Sequence, residues 1–288
     1  MLKYWIEAMR LRTLPVSVAG VILATGFAVA HGCFSLAVTL LCLTFAVLAQ
    51  IASNFANEYY DYIGGLDRKG REGPRRGVTE GEITPGAMKR ATFITLALAT
   101  ITGCSLIYYG GWWLIAVGAV ILVGVLAYST GPYPLSHHGL GEVAVIFFFG
   151  IIPVTFTYWL QSHQWDTNVI LASVSAGMMG ANVLIVNNYR DRDDDRAVGK
   201  RTIAVRWGAR PVATLYLFNG YIAVALMTAS WATLPPWTWL LPVAYLALHT
   251  ILYWRITSRH GAALNPLLGL TALAMLLYCT AFTLATLA

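Results

Sequence analysis

Two polar stretches interrupt an otherwise apolar chain, and both begin with an asparagine that is followed four residues later by an aspartate. We call residues 57–67 the first cassette and residues 187–201 the second cassette. Side chains four residues apart lie on the same face of a helix. The residues that this spacing aligns are Asn57 and Asp61 in the first cassette, and Asn187, Asp191 and Asp195 in the second.

Carboxylates held this close together repel one another, and one of them normally takes up a proton. A bound Mg²⁺ ion removes the repulsion, because it takes oxygen ligands and is usually held by one or two carboxylates together with substrate phosphates. The glycine pair at 64–65 breaks the first helix and lets the chain fold back to present Asp67. Asp194 also lies close to the aligned face, so spacing leaves Asp194 and Asp195 as alternative ligands.

Basic side chains accompany each cassette and complete a candidate phosphate site. Arginine presents a fork of N–H donors to phosphate oxygens, and lysine supplies a point charge. A solvated loop of mixed charge would explain one such stretch, but polar residues that enter a membrane span are usually functional. The cassettes therefore predict a diphosphate bridged by two Mg²⁺ ions. The candidate substrate-binding residues around the metal ligands are Arg71, Arg76, Asn187, Asn188, Arg190, Arg196 and Lys200.

The composition is that of a protein with many membrane spans. Of the 288 residues, 58% are hydrophobic and only 11% are charged, whereas soluble domains carry about 25% charged residues. The net charge of +6 does not indicate a nucleic-acid partner, because the basic residues lie in loops between apolar runs. The four cysteines are scattered and indicate neither a zinc site nor a disulfide framework. We expect no cleavable signal peptide.

Apolar runs near the length that crosses a bilayer core, about 20 residues, recur along the chain. They predict an all-α fold, a single domain of residues 1–288 in which nine transmembrane helices form a bundle around a central cavity. Residues 1–12 predict an amphipathic helix before the first span. The nine predicted spans are 14–31, 34–56, 91–109, 113–130, 142–160, 168–187, 211–231, 237–254 and 264–286.

The basic residues all lie on one side of this arrangement. Loops rich in lysine and arginine face the cytoplasm, so we expect an internal N-terminus and a site that opens to the cytoplasmic side. Tyr128 and the Gly- and Pro-rich turn after it lie on the same face, with Tyr128 at the mouth of the pocket. The segments that together carry all 19 Lys and Arg are the N-terminus and loops 57–90, 188–210 and 255–260.

Three histidines have a structural interpretation. His137 and His138 are adjacent and do not share a helix face. No third ligand is near them in the sequence, so we expect a solvated loop rather than a metal site. His249 lies inside the eighth predicted span, and we expect a hydrogen-bonded interior residue rather than a catalyst.

Together these features resemble the UbiA superfamily of intramembrane aromatic prenyltransferases, and in detail the branch that prenylates 1,4-dihydroxy-2-naphthoate. Glu58 stands where the family usually has aspartate, and no lysine follows Tyr128 as it does in other branches. The motifs are Arg12-Thr13-Leu14-Pro15; Asn54-x-x-Asn57-x-x-x-Asp61 with Gly65-x-Asp67; Arg71-x-Gly73-Pro74-x-Arg76-Gly77; Gly131-Pro132-Tyr133-Pro134 with Gly139-Leu140-Gly141; Asn187-Asn188-x-Arg190-Asp191-x-x-x-Asp195-Arg196-x-x-Gly199-Lys200-x-Thr202; and Asn265-Pro266.

The resemblance implies that a polyprenyl group moves from polyprenyl diphosphate to the naphthoate ring with loss of diphosphate and carbon dioxide. The product would be demethylmenaquinol, made for menaquinone biosynthesis in the bacterial cytoplasmic (inner) membrane. Tyr128 would steady the allyl cation, and the polar stretch 67–88 would order over the site as a lid. The resemblance assigns the Mg²⁺–diphosphate complex to Asn57, Asp61, Asp67, Asp191 and Asp195, and phosphate contacts to Arg71, Arg76 and Lys200.

Two alternatives stay open at this point. The acceptor of the prenyl group could be another aromatic acid, such as 4-hydroxybenzoate or homogentisate, because pocket shape selects it. A membrane transporter would also have polar breaks in its spans, but transporter sites usually lie near the bilayer midplane, whereas these carboxylates lie at one face. The sequence specifies no oligomeric state.

Overall fold

The computed structural model describes residues 1–70 and 72–288. Helices account for most of these residues. The helices of the first half are α1 (Leu2–Met9), α2 (Leu14–Ala30), α3 (Leu36–Ile63), α4 (Gly77–Glu80), α5 (Pro85–Gly110), α6 (Leu114–Ala127) and α7 (Gly141–Val145). Those of the second half are α8 (Ile152–Ser162), α9 (Thr167–Arg190), α10 (Arg192–Ala197), α11 (Ile203–Trp207), α12 (Ala209–Leu226), α13 (Thr228–Ala232), α14 (Leu240–Thr257) and α15 (Asn265–Ala285).

The described residues form an all-helical bundle with seven segments long and apolar enough to cross a membrane. The predicted spans 113–130 and 211–231 coincide with α6 and α12, which are not among the seven. Helix α6 has only 14 residues, and α12 ends at Leu226, before the predicted end of its span. The seven segments are Leu2–Ala30, Leu36–Ile63, Pro85–Gly110, Gly141–Ser162, Thr167–Arg190, Pro236–Thr257 and Gly261–Ala285.

The predicted amphipathic helix at the N-terminus is confirmed as α1, and a sharp bend separates it from α2. Arg10 adopts the left-handed conformation with φ of 52°, and a 3₁₀ turn over Leu11–Thr13 follows it. The bend brings the end of α1 against α3, where Asn54 Nδ2 donates to the Met9 carbonyl at 2.9 Å. The N-terminal segment is therefore attached to the same helix that carries the first cassette.

Both cassettes begin on helices rather than in loops. The apolar run of the second predicted span stops at residue 56, but α3 continues to Ile63 and has 28 residues. Helix α9 likewise continues past its predicted end to Arg190. The predicted glycine break is confirmed, because α3 ends at Gly64 and Gly65 has a φ of 67°. The aligned Asn and Asp side chains are therefore held by regular helix.

Very close helix packing supports the middle of the bundle. A π-helical segment over Ile146–Ile151 joins α7 to α8 and packs directly on α9. A Cβ atom at Gly150 would lie 2.4 Å from the Gly177 Cα, so the two backbones touch where only glycine fits. This contact fixes α9, and with it the second cassette, against the helices that follow Tyr128.

Candidate active site

Asp61 joins the two cassettes. Its side chain is only 1% exposed, and its Oδ2 accepts a hydrogen bond from Lys200 Nζ at 2.9 Å. Lys200 belongs to the second cassette, 139 positions away. On the other side, His137 Nε2 lies 3.4 Å from Asp61 Oδ1. The fold therefore brings the polar stretches together around a buried carboxylate, as the sequence predicts.

Asn57 lies one helical turn before Asp61 and links it to further cations. Its amide Nδ2 donates to Asp61 Oδ2 at 3.3 Å, which confirms the predicted alignment on α3. Its Oδ1 accepts from Arg10 Nη2 at 2.6 Å and from Arg76 Nη2 at 3.2 Å. Two guanidinium groups thus converge on one amide oxygen.

Arg76 is buried and bridges three parts of the first cassette. Besides its bond to Asn57, its Nε lies 3.5 Å from Asp67 Oδ2 and its Nη1 lies 3.9 Å from Glu58 Oε2. The glycine break after α3 therefore returns Asp67 toward the cassette, as predicted. Glu58 makes another contact, in which its Oε1 accepts a hydrogen bond from the Val78 backbone N–H at 3.1 Å. That bond attaches the stretch 72–88 to α3.

The carboxylate of Asp191 is held by the arginine next to it. Arg190 Nε and Nη2 lie 2.7 Å and 2.8 Å from the two Asp191 oxygens. The same guanidinium donates to Asn187 Oδ1 at 2.8 Å and to Asn265 Oδ1 at 2.9 Å. A two-bonded arginine–carboxylate pair is strong and directional. Arg190 therefore fixes the end of α9 against the start of α15.

The structure separates Asp194 from Asp195. The Asp194 carboxylate accepts hydrogen bonds from the Arg68 guanidinium and from the Glu72 backbone N–H at 3.1 Å. Asp194 therefore joins α10 to the segment that follows α3. Asp195 lies one helical turn after Asp191, where its N–H donates to the Asp191 carbonyl at 2.7 Å and its carbonyl accepts from the Lys200 N–H at 2.9 Å. The choice of Asp195 as the metal ligand stays a prediction.

Two of the predicted substrate-binding residues, Arg196 and Asn188, do not join this cluster. Arg196 lies at the surface and donates to Asp193 Oδ1 at 3.3 Å. Asn188 faces the interior, where its Nδ2 donates to Glu142 Oε1 at 2.7 Å. Arg71 lies outside the described residues. Consecutive residues of a helix face different directions, which explains why the side chains of Asn187 and Asn188 have different neighbours.

Sequence reasoning missed two side chains of the cluster, Arg10 and His137. Arg10 contacts Asn57 because the chain bends between α1 and α2. In the sequence, the only indication of this contact is a basic residue that lies just before a predicted span. His137 does not lie in a solvated loop, so that prediction was wrong: its turn folds beneath the cassette, and its carbonyl accepts from the Arg201 N–H at 2.8 Å. His138 instead stacks on Tyr133 at 3.8 Å between ring centroids. His249 is confirmed as an interior residue bonded to the Tyr216 carbonyl.

Two cavities that share lining residues adjoin the cluster. The smaller, which we call the polar pocket, has a volume of about 120 Å³ and is lined by Asn57, Asn187 and Tyr128, among others. The larger, the apolar cavity, has a volume of about 300 Å³ and extends between α3, α5, α6 and α8 toward Leu160. Tyr128 lines both.

The donor atoms of the cassettes fit a hard dication. They are carboxylate and amide oxygens, the ligands that Mg²⁺ takes. Within residues 1–70 and 72–288, no three His, Cys, Asp or Glu side chains come together as a metal cage. Mg²⁺ usually takes one or two carboxylates and completes its shell with water and substrate phosphates.

Comparison with known proteins gives close relatives over nearly the whole chain. A 1,4-dihydroxy-2-naphthoate octaprenyltransferase from Escherichia coli is 33% identical over 282 residues, which cover 95% of this chain and 91% of the relative. The protein of the same name from Mycobacterium tuberculosis is 37% identical over 279 residues, which cover 96% of this chain and 94% of the relative.

Solved structures share the fold. A UbiA homolog from Archaeoglobus fulgidus, bound to GPP and Mg²⁺, superimposes with a TM-score of 0.69 at 16% identity and covers 97% of this chain and 99% of its own. A UbiA homolog from Aeropyrum pernix gives a TM-score of 0.69 at 15% identity, with 94% and 95% covered. The model of the UbiA prenyltransferase family matches residues 18–268. By this match and its near full-length relatives, the chain belongs to the UbiA prenyltransferase family.

Proposed function

We propose that this protein transfers a polyprenyl group from polyprenyl diphosphate to 1,4-dihydroxy-2-naphthoate, with release of diphosphate and carbon dioxide, to give demethylmenaquinol for menaquinone synthesis. The observation that carries the proposal is the contact between Lys200 and Asp61 at 2.9 Å. It brings both cassettes to the mouth of a pocket that continues into an apolar cavity. Full-length relatives that carry the name of this activity support the choice of acceptor.

The cassettes would hold the diphosphate by exchanging partners. In the structure, Lys200 pairs with Asp61 and Arg76 with Asp67. With diphosphate and Mg²⁺ bound, Lys200 and Arg76 would contact the phosphate oxygens, and Asp61 and Asp67 would hold the metal. Mg²⁺, when bound, supplies positive charge that stabilises diphosphate as a leaving group. We propose that two Mg²⁺ ions bridge the protein and the diphosphate. The residues that would hold this complex are Asn57, Asp61, Asp67, Asp191 and Asp195.

The pocket and its walls would guide the ring to the reacting carbon. As the allylic C–O bond breaks, positive charge develops on the prenyl carbon. Tyr128 lines both cavities, and its electron-rich ring would stabilise this charge. The naphthoate ring attacks this carbon, and loss of carboxylate as carbon dioxide restores the aromatic ring. The apolar cavity excludes water, which would otherwise capture the cation.

The same proposal includes the placement in the membrane. We take residues 1–288 as one membrane domain with nine spans, in which α6 and α12 complete the seven segments that are long and apolar enough by themselves. We further propose that the N-terminus and the site lie on the cytoplasmic side of the bacterial inner membrane, because loops rich in lysine and arginine usually face the cytoplasm. The polar stretch around Arg76 and Val78 then acts as a lid over the site from that side.

Product analysis tests the proposal directly. The protein in lipid nanodiscs is incubated with Mg²⁺, octaprenyl diphosphate and an equimolar mixture of 1,4-dihydroxy-2-naphthoate, 4-hydroxybenzoate and homogentisate. We expect one prenylated product by mass spectrometry, demethylmenaquinol, and release of labelled carbon dioxide from carboxyl-labelled naphthoate. EDTA should abolish the reaction and Mg²⁺ should restore it. Prenylation of another acceptor in preference, or of none, would contradict the proposed function.

A further inference from the structure

Gln50 occupies the junction between the two cavities. It lines both the polar pocket and the apolar cavity and is only 8% exposed. It precedes Asn57 by seven positions on α3, which is two turns of helix, so the two side chains share one face of α3. The mechanism described above gives Gln50 no role, and a polar amide in this position needs an explanation.

The neighbours of Gln50 determine which way its amide points. Its Nε2 donates to Thr13 Oγ1 at 3.3 Å and to Asn54 Oδ1 at 3.3 Å. The Thr13 hydroxyl donates its own hydrogen to the Arg10 carbonyl at 2.9 Å. The Asn54 amide nitrogen is committed to the Met9 carbonyl. Both neighbours therefore present lone pairs to Gln50, and only its nitrogen can face them.

The opposite end of the amide is left with an unused acceptor. Gln50 Oε1 is buried and has no hydrogen-bond partner. Buried polar atoms almost always have a partner, because an unmet hydrogen bond costs the full desolvation of the group. A carbonyl oxygen can only accept, so the missing partner must bring an O–H or N–H group. A carboxylate cannot supply one.

We infer that Gln50 is a specificity-determining residue, whose Oε1 accepts a hydrogen bond from a phenolic hydroxyl of the aromatic acceptor. The inference rests on the proposed function, which supplies a hydroxylated ring. From the helical rise, Gln50 lies about 10 Å along α3 from Asn57, so a ring fits between the amide and the diphosphate. The amide would fix how the ring turns in the pocket, and so which carbon meets the prenyl group.

Substitution of Gln50 by methionine tests this inference, because methionine keeps the shape of the side chain and removes the acceptor. With 1,4-dihydroxy-2-naphthoate, Gln50→Met should lower kcat/KM by about 10- to 100-fold, the range expected for one substrate hydrogen bond. The KM for the prenyl diphosphate should change by less than twofold. Thr44→Ala, which removes a hydroxyl from the exposed face of the same helix α3, is the matched control and should retain activity.

Two analogues that each lack one hydroxyl identify the group that Gln50 binds. As competitive inhibitors, 1-hydroxy-2-naphthoate and 4-hydroxy-2-naphthoate report binding without depending on ring reactivity. One of them should inhibit the wild-type protein more weakly than the other, and Gln50→Met should remove that difference. If Gln50→Met does not insert into the membrane, the wild-type comparison alone decides: inhibition constants that match each other and the KM of the dihydroxy acceptor overturn the inference.

The outcomes separate this inference from the proposed function. If the wild-type protein makes no demethylmenaquinol, the proposed function fails, and the inference fails with it. If the wild-type protein is active but Gln50→Met keeps full kcat/KM, only the inference fails. An equal loss with all acceptors and donors would assign Gln50 a merely structural role and would also overturn it.

Discussion

At the scale of single residues, Asp61 is the carboxylate at which the two cassettes meet. Asp61→Asn keeps the shape but removes the charge that faces Lys200 and His137. We expect product formation to fall about 100-fold or more, as when one transition-state contact is lost, while the protein still inserts. Asp193→Asn is the control, because the Asp193 side chain is 74% exposed. Comparable activity in the two variants would contradict the role of Asp61.

Asp194 and Asp195 differ by one position and should respond differently. Asp194 bonds to Arg68 and the Glu72 backbone, so Asp194→Asn should change activity by no more than about fivefold, the worth of an exposed ion pair. Asp195→Asn should reduce it about 100-fold. Initial rates of prenylation with each variant, in nanodiscs, decide the matter. The reverse order would make Asp194 the metal ligand.

Local spacing predicted the parts of the site that a single helix holds together. The bond between Asn57 and Asp61 at 3.3 Å follows from their separation of four residues on α3. It could not predict Arg10 or His137, because a bend and a turn far away in the chain deliver these side chains. Hydropathy also ended the second span at residue 56, although hydrogen bonding carries the helix on to Ile63. Apolar composition marks the hydrocarbon core, not the end of a helix.

At the scale of elements, Glu58 attaches the stretch 72–88, which we propose to be a lid, to α3. Glu58→Ala removes the acceptor of the Val78 N–H and leaves Arg76 less firmly held, so the KM for prenyl diphosphate should rise about tenfold with a smaller change in kcat. Glu58→Gln keeps an oxygen for Val78 and should recover part of the loss. Glu80→Ala, in the same short helix α4, is the control. Steady-state kinetics would refute this role if Glu80→Ala had the same effect as Glu58→Ala.

The contact between the π-helical segment and α9 should be sensitive to a single methyl group. A Cβ atom at Gly150 would lie 2.4 Å from both the Gly177 Cα and the Ser173 carbonyl oxygen. Since the obstacle is backbone, Gly150→Ala should destabilise the protein by about 1–3 kcal/mol and lower its thermal unfolding midpoint. Gly269→Ala places its methyl in open space and should leave the midpoint unchanged or slightly higher. Equal midpoints for the two variants would disprove the close packing.

At the scale of the whole molecule, the proposed orientation can be read from surface labelling. In a background with the four cysteines replaced by alanine, Gln164→Cys lies in the loop before α9 and Ser258→Cys in the loop after α14. The positive-inside rule places these loops on opposite sides of the membrane. A membrane-impermeant maleimide should label Gln164→Cys in intact cells, and Ser258→Cys only after permeabilisation. Labelling of both, or the reverse pattern, would refute the orientation.

The length of α3 has a consequence for how substrate arrives and product leaves. Its 28 residues exceed by about eight the number that crosses a bilayer core. In the proposed orientation, the Asn57–Asp61 pair near the end of α3 would lie at the headgroup level. The apolar cavity lies deeper, beside the earlier turns of the same helix. A prenyl diphosphate can therefore bind in the orientation that it has in the bilayer, with its diphosphate among the headgroups and its prenyl chain in the hydrocarbon core. After reaction the prenylated product has lost its charged headgroup, so it sinks toward the membrane interior, and this partitioning draws the product away from the enzyme.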